Sequence, residues 1–122
     1  MNVERAKHCL DLNRKYLEEG ENLLAKGDSA QASEKLWGAS AEIVKAVAAY
    51  RGLELKTHAD LWSFTTKLSS ELGDPEILTL FATANYLHQN FYENAMTLEA
   101  VRASAQAVKQ FIEKVEKLLT KR

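Results

Sequence analysis

The chain has 122 residues, 46% apolar and 27% charged, with a net charge of −1, one cysteine, one proline and five glycines. A lone cysteine excludes an intrachain disulfide and a thiolate metal cluster, and the near-zero charge lacks the basic excess typical of nucleic-acid binders, leaving only local basic patches. This length suits one domain, expected over residues 1–122, and so little glycine and proline favours an all-α fold.

Residues 2–26 read as a charged amphipathic helix, with Val3, Leu10, Leu17 and Leu24 seven apart. Met1 to Lys7 lacks the apolar core of a signal peptide, and about 18 apolar residues never run together, so a cytoplasmic protein without a membrane span is expected. Gly27 and Asp28 supply a stop and a cap for a second helix over 29–50. That helix carries Leu36, Ile43, Val47 and Tyr50, with Trp37 and Val44 beside them. It is also rich in small residues, Ala32, Gly38, Ala39, Ala41, Ala46, Ala48 and Ala49 among them. Such a surface admits a close neighbour, either inside one subunit or across a dimer contact.

Arg51-Gly52 ends the second helix, and Leu53 to Lys56 form the longest linker. Thr57 and Asp60 have the spacing of a capping box at the start of a third helix over 58–72, which closes at Gly73. Asp74-Pro75 opens a fourth over about 75–95. Thr97 caps a fifth over about 98–121, with Leu98, Val101, Ala105, Val108, Ile112, Val115 and Leu119 at three- and four-residue spacings. Its last turn, with Lys114, Lys117, Lys121 and Arg122, is basic, as a helix C-terminus favours. Five helices and short turns predict an up-and-down antiparallel bundle, in which sites form between facing helices.

The fourth helix holds the densest chemistry. Asn85, His88, Asn90, Tyr92 and Glu93 crowd into one stretch, and Ile77, Phe81, Ala84, His88, Phe91 and Ala95 predict an inward stripe that includes the imidazole. A buried imidazole needs a partner, and Asn85 and Tyr92 lie within helical reach. The cluster reads either as a structural polar knot or as a ligand site.

Phosphate loops, His-Glu-x-x-His, Cys-x-x-Cys and nucleophile elbows do not occur in the sequence. His8, His58 and His88 fall on three different helices without paired ligand spacing, so no metal site and no cofactor is expected. Arg51 and His58, six residues between them, have the side chains for metal-free RNA cleavage, a phosphate-holding guanidinium and a titratable imidazole. His58 equally suits an ordinary helix start. The charges Glu34, Lys35, Glu42 and Lys45 read as a solvated face, and Trp37 and Trp62 as packing anchors.

Three segments, Ser33 to Ala39 with Val44-Lys45-Ala46, Lys56 to Leu61, and Leu87 to Glu93, together resemble the HEPN domain in its short standalone archaeal, PaREP-like form. The resemblance implies an all-α bundle, commonly a homodimer, among proteins that partner minimal nucleotidyltransferases or act as metal-independent ribonucleases of toxin–antitoxin and defence systems. The ribonucleases carry Arg-x4-6-His on a late helix; here the positions before His88 are Phe81, Ala82 and Thr83, none of them arginine. The reading is thus a non-catalytic homodimeric module for a nucleotide, RNA or nucleotidyltransferase partner, with Asn85, His88, Asn90, Tyr92, Glu93 and Lys45 as ligand contacts. One alternative is a metal-independent endoribonuclease using Arg51, His58 or His88. Another is a structural or antitoxin-like dimeric subunit.

Overall fold

The computed structural model describes residues 1–120, apart from the side chain of Thr120; Lys121 and Arg122 lie outside the described residues. Among them five helices form an all-α bundle: α1 Val3–Ala25, α2 Ser29–Tyr50, α3 His58–Leu72, α4 Glu76–Glu93 and α5 Leu98–Thr120. Among the described residues no helix is long and apolar enough to cross a membrane.

Local chemistry sets the boundaries. The carboxylate of Asp28 accepts the Gln31 N–H at 3.1 Å, and Thr97 Oγ1 accepts the Ala100 N–H at 3.1 Å. Thr57 and Asp60 complete the capping box that opens α3, and Gly73 closes it at φ +61°. At α4 the Asp74 carboxylate accepts the Glu76 N–H at 3.2 Å, and Pro75 is already helical at φ −66°. The helix stops two residues short of the expected Ala95, because Asn94 turns into the left-handed region at φ 48°. Asparagine reaches that conformation more easily than other non-glycine residues.

The central helix is α2, which touches the other four. Its alanines at 32, 39, 46 and 48 are fully buried. The small-residue surface is therefore covered within one chain. Much of that cover is α1, whose buried line is Ala6, Cys9, Asn13, Gly20 and Leu24. The expected heptad of leucines fails in part: Val3 is exposed and Leu10 and Leu17 are only half-buried. Two small-sided helices pack closely instead, with Asn13 donating to the Ala39 carbonyl at 2.7 Å. A Cβ at Gly20 would stand only 3.1 Å from the Leu36 side chain.

One connection departs from strict alternation. The linker after Arg51 runs back along α2, with Glu54 bonded to Arg5 and Leu55 beside Lys45. His58 then lands against Trp37, while Arg51 meets Glu71 near the end of α3. Consequently α3 starts alongside the middle of α2 and runs in roughly the same direction. The 14 residues from Trp37 to Arg51 span roughly 21 Å of helix. Seven extended steps reach roughly 24 Å, so the linker is just long enough.

Candidate functional site

The site stands where α2, α3 and α4 meet. Trp37, His58 and His88 bring one ring from each helix, with centroids 5.5, 5.6 and 5.4 Å apart, an almost equilateral triangle. Beneath it Phe81 touches Trp37 at 5.6 Å and Phe111 at 5.4 Å, so an aromatic column joins the site to the core. Above it Tyr92, 71% exposed, meets His88 edge-on at 5.5 Å.

The predicted stripe of α4 is corrected at its C-terminal half. Ile77, Leu80, Phe81, Ala84, Leu87 and Asn90 are the buried residues, while Ala95 is exposed. At about 100° per residue His88 lies only about 20° from Ile77 and Phe81, so helix drift does not expose it; the buried face itself moves round to Leu87 and Asn90 at this end and leaves His88 at its flank. The His88 side chain is 28% exposed.

Glu34 holds His88 in place. Its Oε1 lies 2.8 Å from Nδ1. A carboxylate accepts only, so Nδ1 carries the proton and Nε2 is the second ring nitrogen available for other partners.

Beside His58 is a cavity of about 130 Å³, lined by Trp37, Ala41, Lys45, Leu55, Lys56, Thr57, His58 and Leu61. Glu34, Trp37, Ala41 and Lys45 recur along α2 at steps of three, four and four, which is one helical face. Trp37 is the packing anchor its reading expected, 6% exposed and against Phe81, whereas Glu34, read as a solvated charge, meets His88. Lys45 pairs loosely with Glu42 at 3.6 Å. Burial first, and then the Glu42 carboxylate, push the Cys9 thiol up to about 11, so it is a neutral packing group.

The other candidate residues occupy distinct places. Asn90 is a buried clamp: its side-chain N–H donates to Ser33 Oγ at 2.9 Å, and its oxygen accepts the Ala95 and Met96 N–H groups, each at 2.9 Å. Glu93 takes the Gln89 amide at 2.8 Å on the exposed face of α4. Asn85, one turn before His88, is half-buried with its amide oxygen unpaired.

Arg51 is bound on both nitrogens by Glu71, at 2.7 and 2.8 Å, and lies over the Phe64 ring. The arginine and the imidazole at ribonuclease-like spacing thus have separate partners, Arg51 with Glu71 and His58 with Trp37 and His88. Among the described residues no three His, Cys, Asp or Glu side chains converge to hold a metal ion.

A small helical bundle with an imidazole-rich surface cluster is the class these features define. Residues 8–112 match the model of the archaeal PaREP1/PaREP8 family, and the chain belongs to that family. No match was found among curated proteins. A crystal structure of a Sulfolobus solfataricus protein is similar over 88% of this chain and 96% of its own, with TM-score 0.78 and 26% identity. A crystal structure of a Thermus thermophilus protein shares the fold, with TM-score 0.75 and 21% identity over 97% of this chain and 99% of its own.

Proposed function

We propose that the protein is a HEPN-like helical module that binds a nucleotide or RNA at the Trp37–His58–His88 cluster. The observation that carries this is the ring triangle, packed against the core below and open to solvent at His58 and Tyr92. Imidazole and phenol rings offer faces to a base, and such stacking contributes about 1 to 3 kcal/mol per base. Lys45 and Lys56 at the adjoining cavity supply cations for a phosphate. Homodimerisation and a nucleotidyltransferase partner belong to the same reading through the HEPN resemblance.

A second reading, metal-independent endoribonuclease, is favoured by one arrangement. His88, oriented by a carboxylate, stands beside a second imidazole. One imidazole would take the 2′-hydroxyl proton as that oxygen attacks phosphorus. The other would protonate the departing 5′-oxygen, leaving a 2′,3′-cyclic phosphate.

The test is fluorescence anisotropy of a labelled single-stranded oligoribonucleotide titrated with pure protein, followed by electrophoresis of the same RNA. Saturable binding that His58→Ala and His88→Ala weaken about tenfold, without cleavage, supports the binding module. Cleavage lost in either variant moves the assignment to the ribonuclease. No binding at high micromolar protein overturns both.

A further inference from the structure

A second cavity adjoins the ring cluster. It measures about 260 Å³ and lies between α1, α2 and the returning linker, with Arg5, His8, Glu42, Lys45, Glu54 and Leu55 in its walls. Lys45 and Leu55 line both this cavity and the one at His58. The two are halves of one groove, with the linker as outer wall and Lys45 at the divide. Two histidines line it, His8 in the larger half and His58 in the smaller, and the His88 ring lies outside its walls, 5.4 Å from that of His58.

The charges suit an anionic strand. Three cations, Arg5, Lys45 and Lys56, face two carboxylates in its walls, Glu54 bound by Arg5 at 2.8 Å and Glu42 only loosely in contact with Lys45. Beyond its walls, Glu34 is held by His88, and Asp60 accepts the backbone N–H groups of Lys56 and Thr57. Lys56 at the mouth forms no salt bridge among the described residues. The 3.6 Å separation of Lys45 from Glu42 is longer than the roughly 2.8 Å of a tight charge-assisted hydrogen bond, so a phosphate can compete for the ammonium. The volumes also differ usefully. A closed cavity of about 150 Å³ holds one benzene ring, so a base at the smaller part, about 130 Å³, would lie partly outside it against the exposed His58, while the larger part, about 260 Å³, has room for one.

Resting on the nucleotide-binding reading above, we propose that this groove takes two consecutive nucleotides of a single-stranded oligoribonucleotide. One base lies at the His58–His88 cluster, its neighbour occupies the His8 cavity, and Lys45 holds the phosphate that links them. That phosphate must sit between the two subsites, and among the described residues Lys45 is the cation that lines both.

Isothermal titration of the intact protein with adenosine monophosphate and with the 2′-O-methyl dimer and trimer of adenosine tests this, the methyl group blocking cleavage. The dimer is expected to bind about tenfold more tightly than the monomer, as one further base contact supplies, and the trimer to add less than about threefold. Lys45→Gln and His8→Ala are expected to reduce the dimer-to-monomer ratio below about threefold, a readout that a general loss of folding does not move. Equal affinity for monomer and dimer overturns the two-subsite groove and leaves nucleotide binding standing. A rise with length that neither variant alters also overturns it, as the mark of diffuse electrostatics. No binding of any of the three overturns both readings.

Discussion

Glu34 and His88 meet across α2 and α4, with the carboxylate Oε1 2.8 Å from Nδ1. Because that contact fixes the proton on Nδ1, the neutral His88 is expected to be the Nδ1–H tautomer, the opposite of what many free imidazoles prefer. Long-range nitrogen–proton NMR correlations distinguish the two forms, and Glu34→Ala should return His88 to a mixture. An Nε2–H tautomer in the native protein would show that the contact does not form in solution. The pair is partly exposed, so its loss should cost no more than about 1 kcal/mol of stability.

Asn90 is expected to matter for stability far more than its polar character suggests. Truncation to alanine leaves the Ala95 and Met96 N–H groups without their acceptor and removes the link to Ser33, all in part-buried or buried surroundings. Unsatisfied buried groups cost about 1 to 3 kcal/mol each, and because these two are only part-buried Asn90→Ala should destabilise by about 2 to 4 kcal/mol. Urea titration should show a lower midpoint at unchanged slope. A midpoint within error of the parent would mean that the α4–α5 turn finds other acceptors.

These two residues also mark what the sequence discloses and what it hides. Helix ends were legible because Asp28, Thr57 with Asp60, Gly73 and Thr97 act on backbone groups three or four residues away. Asn94 was missed because its left-handed turn uses asparagine where glycine is the usual signal. His88 was legible as a candidate, but its partners were not. Glu34, Trp37 and His58 lie on other helices, and it is the returning linker that brings His58 to Trp37.

The protein should lose stability in acid, with a sign fixed by its ion pairs. The Arg51 hydrogen bonds hold the Glu71 carboxyl below its ordinary value, and the Lys114 ammonium does the same for Asp74. Backbone N–H groups, first that of Lys56, lower Asp60. Each folded carboxyl then binds its proton at lower pH than in the unfolded chain. The stabilisation is therefore complete above the ordinary carboxylate range and is lost as pH falls through the folded values, below about pH 4. Melting temperatures at pH 7, 5 and 3 should be similar for the first two and clearly lower for the third, with a shallower drop in Glu71→Gln. Identical melting at pH 7 and 3 would rule this out.

Trp37 should report on the site directly. It touches both imidazoles, whereas Trp62 packs edge-on against Phe81 at 4.7 Å, away from the triangle. A ligand that stacks on His58 or moves His88 changes the surroundings of the Trp37 indole and leaves those of Trp62 nearly constant. Fluorescence of Trp62→Phe should therefore keep most of the change seen on nucleotide titration, while Trp37→Phe should lose it. Trp37 is 6% exposed, so the phenylalanine variant retains an aromatic filler, and its cost should stay within about 1 to 3 kcal/mol. If the signal survives in Trp37→Phe and vanishes in Trp62→Phe, the ligand lies on the α3–α4 face and the ring triangle is structural.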